Sequence, residues 1–199
     1  MFAALTAGFF LGASLIIAIG SQNAFVLRQG LRGEHVLLIC LTCALSDALL
    51  ITAGVFGFGE LVDHSPWIGP VARYGGAAFL FGYATLAFRS AWRGAGALQA
   101  AERAAPSWKV ALATCLALTW LNPHVYLDTL VLLGAASIRF EDFRSAFAIG
   151  AVCASFLFFF SLGYGARLLQ PLFAKPVAWR VLDAIIGVVM LLIAASLVR

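Results

Sequence analysis

The sequence predicts an all-α integral membrane protein: six transmembrane helices as two inverted three-helix repeats, each with a broken first helix. Three observations lead there. Only 11% of the 199 residues are charged and 63% are hydrophobic, whereas soluble domains carry about 25% charge. With a mean hydropathy of +0.99, too few charges remain to cover a water-facing surface, so lipid is the solvent. Apolar stretches near 5–27, 36–61, 67–88, 110–136, 143–169 and 178–198 each approach the ~20 residues that cross hydrocarbon. Two of them, the first and the fourth, are interrupted by polar residues at corresponding places.

In the first stretch Gly20, Ser21, Gln22 and Asn23 form the interruption. Gly20 relaxes backbone limits, Ser21 is placed to cap the following turn, and Gln22 and Asn23 bring amide donors and acceptors into or near hydrocarbon. Such groups are costly there without partners. They serve either as interhelical hydrogen bonds, worth on the order of 0.6 kcal/mol each, or as a binding site.

The second stretch carries Asp47, unfavourable by roughly 2.5–3.5 kcal/mol at a helix centre on insertion scales. Helical spacing gathers Cys40, Cys43, Ala44, Asp47, Ile51 and Gly54 on one face. That small-residue stripe invites a neighbouring helix and points Asp47 inward. No Lys or Arg sits in a predicted helix centre, which favours an exchangeable cation for Asp47: a proton or a substrate ammonium. In the third stretch Gly75, Gly76 and Gly82 read as packing contacts.

The segment 91–109 is the least hydrophobic connection and is basic, so it divides one membrane domain, 1–199, into halves 1–90 and 110–199. With three crossings each, related halves insert in opposite orientations. Laying Asp47 over Ser155 also places Gly57 on Gly165.

The fourth stretch breaks at Asn122, Pro123 and His124. Pro123 lacks an N–H and crowds the carbonyl of Thr119, and a residue before proline avoids helical angles. A new half-helix is expected at Pro123, with Asn122 as its N-cap and free N–H groups facing an anion. An ordinary proline kink is the other reading. Asp128 follows about one and a half turns later, suited to a cationic side chain. His124 is a proton carrier or a hydrogen-bonded lining residue. In the sixth stretch Asp183 reads as a first-turn anion complementing the helix dipole. Trp67, Trp108, Trp120 and Trp179 read as interface anchors.

Net charge is +4, but the cations sit at helix ends, so no nucleic-acid role is assigned. Nine of the 13 Lys and Arg fall in alternate connections: Arg28, Arg32, Arg89, Arg93, Arg103, Lys109, Arg167, Lys175 and Arg180. By the positive-inside rule these face the cytoplasm, leaving both termini outside. The N-terminus lacks a basic n-region and a cleavage site, so the first helix is expected to be retained. Cys40, Cys43, Cys115 and Cys153 all lie in apolar stretches, where Cys acts as a small hydrophobe. No metal, disulfide or cofactor is expected.

Three segments together carry a family resemblance: Gly-Ser-Gln-Asn-Ala-Phe-Val-Leu-Arg-Gln-Gly at 20–30, Ser-Asp-Ala-Leu-Leu-Ile-Thr-Ala-Gly-Val-Phe-Gly at 46–57, and Thr-Trp-Leu-Asn-Pro-His-Val-Tyr-Leu-Asp-Thr at 119–129. Over nearly the whole chain they resemble the LysE-type amino-acid exporters, in particular the lysine/arginine branch. Many relatives in the wider superfamily have a proline at the place of Ser21. The resemblance implies a bacterial inner-membrane, multi-pass exporter of basic amino acids driven by the proton motive force. Exporters of neutral amino acids such as homoserine or threonine belong to the same family; the Asp128-Thr129 pair favours a cationic cargo.

The expected reading is a secondary active exporter of L-arginine and/or L-lysine, not an enzyme. Ser21, Gln22, Asn23, Asn122, Pro123, His124 and Asp128 are the candidate substrate residues, and Asp47 binds the amine or the coupling proton. Its partners are the amino-acid substrate, protons and the bilayer; a homodimer is compatible with this. An intramembrane enzyme is the distant alternative, for which no second catalytic motif or nucleophile–base pair is found. An accessory membrane subunit is the other, and it would leave the central acids dispensable.

Overall fold

The computed structural model describes residues 1–17, 20–57, 68–93, 107–169, 171, 173 and 175–198. Most of the 91–109 connection, as well as Trp67, lies outside them. Described residues are helical almost throughout, without a strand. The chain runs α1 (Phe2–Ile17), α2 (Ser21–Arg32), α3 (Val36–Val55), α4 (Ile68–Arg93), α5 (Trp108–Trp120) and α6 (Pro123–Tyr126). A π-helical segment (Leu127–Leu132) leads into α7 (Leu133–Ser137), a 3-10 turn (Ile138–Phe143), α8 (Arg144–Gly165) and, after a 3-10 turn at Ala166–Leu169, α9 (Pro176–Val198).

Among the described residues three helical runs are long and apolar enough to cross a bilayer: Val36–Val55, His124–Leu169 and Val177–Ala195. The α1/α2 pair, bent by 80°, makes a fourth if taken as one span. The 46 residues of His124–Leu169 would extend about 70 Å as one straight helix at 1.5 Å per residue. Phe140, with φ −121° and ψ 43°, interrupts that run.

Helix α1 lies along α8, α3 along α5, the π-helical segment and α7, and α4 along α9, while α3 also packs along α8. Lipid tails are as apolar as Leu, so close approach rather than hydrophobic burial holds such helices together. Glycines supply it. A Cβ at Gly8 would run into the Phe147 carbonyl, and one at Gly150 into that of Leu5. Likewise Gly54 abuts the Thr129 carbonyl, and Gly30 that of Gly163. The expected packing role of Gly75 and Gly82 is not seen: among the described residues nothing lies within 4 Å of a Cβ at either. Glycine spacing on α4 does not reveal which of its faces meets a neighbour.

Two apolar cores result. One joins Val36–Ala44 of α3 to Phe159 of α8 and to α2, α4, α5 and α9. The other joins Ile51 and Val55 to Phe147, Ala148 and Ala151 of α8 and to α1 and α7. Along α3 the stretch between them holds Asp47, and along α8 it holds Ser155, both buried. All six residues of the predicted α3 stripe are buried.

Asp183 departs from expectation. Helix α9 begins at Pro176, so Asp183 lies two turns inside it rather than in its first turn. Its carboxylate faces Arg28 at 3.4 Å and accepts a 2.6 Å bond from Ser90 Oγ. Arg28 is itself within α2, not in a connection, so a cation does stand within a helix. Two tryptophans differ as well. Trp179 is buried and donates to the Phe173 carbonyl at 2.7 Å, and Trp120 Nε1 donates to Ser46 Oγ at 3.2 Å. Trp108 is exposed, as an anchor would be.

Candidate functional site: a polar chamber between two helix breaks

A helix end leaves backbone groups without intrahelical partners, and at both breaks the side chains that satisfy them can be named. At the first, Asn23 Nδ2 donates to the carbonyl of Ile16 at 2.7 Å, closing the end of α1. Gly20, in extended conformation, is the N-cap of α2 and offers no side chain. Ser21 is therefore the first helical residue, not the cap expected from sequence. Its hydroxyl reaches 3.5 Å to the Leu118 carbonyl instead, linking the two breaks.

At the second break Pro123 withholds an N–H from the Thr119 carbonyl, which accepts from Asn122 N at 3.4 Å instead. Asn122 Oδ1 accepts from His124 N at 3.2 Å, the N-cap bond expected of it. His124 N would otherwise serve the Trp120 carbonyl, to which Tyr126 donates its hydroxyl at 2.7 Å. Beyond Tyr126 the helix widens to π geometry, with Leu133 N donating to the Asp128 carbonyl. One extra residue per turn of this kind often marks functional sites, and here it carries Asp128 and Thr129.

Between the breaks lies a cavity of about 390 Å³, within the 300–1,000 Å³ usual for small-molecule sites. Gln22, Asn23, Asp47, Asn122, His124 and Asp128 all line it, so six predicted site residues from distant parts of the chain meet. Ser21 does not line it, and the side chain of Pro123 lies outside what is described. Sequence reasoning noted Thr129 beside Asp128 and Ile51 on the face of Asp47 without placing either in the site, and it missed the rest of the apolar wall: Leu15, Ile16, Val125, Leu133, Phe159 and Ile193. It also missed Tyr126 and Ser46, whose bonds brace the break. An aromatic hydroxyl three residues past a proline is a usable signal only once the proline's orphaned carbonyls are followed.

Asp47 is 4% exposed and accepts a 2.8 Å bond from Ser155 Oγ. Gln22 Nε2 is buried without an oxygen or nitrogen acceptor. The wall thus joins two carboxylates, a buried amide donor and the uncapped N-terminus of α2, with no Lys or Arg among the described lining residues. An aliphatic ammonium suits the acids, and a carboxylate suits the amide and helix N–H groups.

A mid-bundle chamber between broken helices, with acids on its wall, defines a membrane carrier. The chain belongs to the LysE-type translocator family, whose model matches residues 13–199. One protein of Mycobacterium bovis and two of Mycobacterium tuberculosis strains, each named as a candidate amino-acid transporter, are 51% identical over 178 residues. That alignment covers 89% of this chain and 88% of each relative. No solved structure matches the chain. The protein is a multi-pass membrane transporter, not an enzyme.

Proposed function

We propose that this transporter exports basic L-amino acids, arginine and/or lysine, across a bacterial inner membrane by exchange against protons. The observation carrying the reading is one cavity that holds both Asp47 and Asp128, with no Lys or Arg among its described lining residues. In this scheme the α2 N-terminus, Gln22 and Asn23, with Asn122 and His124 opposite, receive the substrate carboxylate. Asp128 selects the cationic side chain. Asp47 takes the α-amine or the coupling proton, and competition between these two ligands for one carboxylate produces antiport.

The halves 1–90 and 110–199 are read as an inverted repeat in a six-span bundle that alternates access. Support comes from how they pack. Each broken span lies against the second helix of the opposite half, α1 on α8 and α5 to α7 on α3, while the third helices α4 and α9 pair together. Exchanging the halves leaves that pattern unchanged. Both termini are read as outside, from the distribution of Lys and Arg.

A neutral cargo has one observation in its favour: Ser155 already engages Asp47, which lessens the negative charge free to meet a cationic substrate. Purified protein in proteoliposomes loaded with labelled arginine, lysine, threonine or homoserine under an imposed pH gradient decides between them. Gradient-driven flux of arginine or lysine is expected. Flux of threonine or homoserine alone would replace the basic cargo, and no flux of any would end the proposal.

A further inference from the structure

Beyond the chamber, a second charged cluster, with its acid buried and its arginine partly exposed, joins three helices. Asp183 of α9 is 1% exposed; Arg28 of α2 stands 3.4 Å from its Oδ1, Ser90 of α4 donates to its Oδ2, and Tyr83 of α4 lies beside Arg28. Ionisable groups within a membrane bundle are rare and mark moving or conducting parts. The cluster contributes nothing to the chamber wall, so another task must explain it.

Helix α2 is the enclosed half of the first broken span. Ser21, Gln22, Ala24, Phe25, Val26, Gln29, Gly30 and Leu31 are all buried, whereas α1 buries only Ala4, Gly8 and Gly12. Its end is folded tightly back: Gly33 adopts a left-handed conformation and Glu34 N donates to the Gln29 carbonyl, so α2 can move only with the turn to α3 or by pivoting at Gly20. At its start α2 covers a pair of thiols, Cys43 and Cys115, whose sulfurs are 3.4 Å apart and unexposed. Gln22 lies against Cys43, and Ser21 reaches over to α5.

We infer that Arg28 and Asp183 form a gate latch: positioning residues that hold α2 against the α4/α9 pair and seal the chamber at the α2 end, released when α2 swings out to admit or discharge cargo. The inference rests on the transport reading. It assigns the partly buried ion pair a position in the cycle. Breaking the pair on one side leaves an unpaired charge in a largely enclosed place, which the closed state penalises, so either charge loss shifts the population towards the open form.

The test uses the full-length protein in lipid nanodiscs, with N-ethylmaleimide as probe and site-resolved mass spectrometry of the Cys43 and Cys115 peptides. Asp183→Asn and Arg28→Gln are expected to alkylate at least ten-fold faster than the parent. Ser90→Ala, losing one bond to Asp183, is expected between them and the parent, and Arg28→Lys, keeping the charge, near the parental rate. A cysteine placed at Ala148 in the opposite core reports general loosening and is expected to stay protected. Parental rates in Asp183→Asn and Arg28→Gln overturn the latch, as does a parallel rise at the Ala148→Cys reporter. Should either charge variant not fold, the graded order of Ser90→Ala and Arg28→Lys still supports or overturns it. Proteoliposomes of the parent separate the two readings: absent flux defeats transport, while normal flux with unchanged labelling defeats the latch alone.

Discussion

Ser155 Oγ donates to Asp47 Oδ2 across 2.8 Å, and these are the two positions that coincide when the second helix of one half is laid over that of the other. Under the proposed inverted repeat, a residue touching its own counterpart would lie on or near the axis relating the halves. The bond stands between the two apolar cores that line α3 and α8. Ser155→Ala leaves the Asp47 carboxyl buried without this donor. Stability is expected to fall by about 1–3 kcal/mol, read as the thermal unfolding midpoint in detergent; an unchanged midpoint would mean that the bond contributes nothing.

Asp47→Asn keeps the shape and an acceptor for Ser155 but cannot take up a proton at neutral pH. If Asp47 carries the coupling proton, gradient-driven accumulation is lost while counterflow of labelled for unlabelled substrate continues. Comparing the two assays in one preparation is decisive. Loss of both with normal insertion assigns Asp47 to cargo binding, and retention of both removes it from the mechanism.

The glycine contacts predict a sharply uneven response to one added methyl. Gly8→Ala and Gly54→Ala drive a Cβ into the backbones of Phe147 and Thr129, where no side chain can move aside. Overpacking of this kind costs typically 1–3 kcal/mol. Gly75→Ala, with open space around it, is expected to be neutral or slightly stabilising through helix propensity. Equal effects at all three would contradict the packing described for α1 on α8 and α3 on the π-helical segment.

What the sequence made legible was local chemistry. Proline cannot complete a helix, so the break at Asn122–Pro123 and the N-cap bond to His124 could be placed from three residues. Asp47 and Asp128 stood out because carboxylates in apolar stretches need a reason to be there. What stayed hidden depends on contacts between distant segments. Arg28 looked like an interfacial cation because its partner Asp183 is 155 residues away, and Asp183 looked like a dipole anion for the same reason. The π-helical widening has no local signature here, and Ser155 was matched to Asp47 as a counterpart without any hint that the two touch.

Tyr126 provides a test of the break itself. Its hydroxyl satisfies the Trp120 carbonyl at 2.7 Å, while the Trp120 indole donates to Ser46, the neighbour of Asp47. Tyr126→Phe leaves that half-buried carbonyl to the remaining donors at a cost of about 0.5–1.5 kcal/mol. Because the bond sets the angle between α5 and α6, substrate KM is expected to rise several-fold with little change in insertion. A stability loss without any change in KM would make Tyr126 a plain structural brace.

Asp128 separates cargo selection from transport in general. It stands on the π-helical segment and lines the same chamber as the start of α2, so a zwitterion held by its carboxylate at α2 has Asp128 available for its side chain. Asp128→Asn preserves size and hydrogen bonding but removes the counter-charge that a desolvated ammonium or guanidinium needs. Arginine and lysine flux is expected to drop at least ten-fold, equivalent to about 1.4 kcal/mol of lost interaction, whereas any flux of neutral amino acids changes little. Competition of unlabelled amino acids against labelled arginine in parental and variant proteoliposomes reads this ratio directly. A uniform decline across charged and neutral substrates would assign Asp128 to the architecture of the break. Parental selectivity in a well-folded variant would remove Asp128 from cation recognition and assign that role to another group of the chamber.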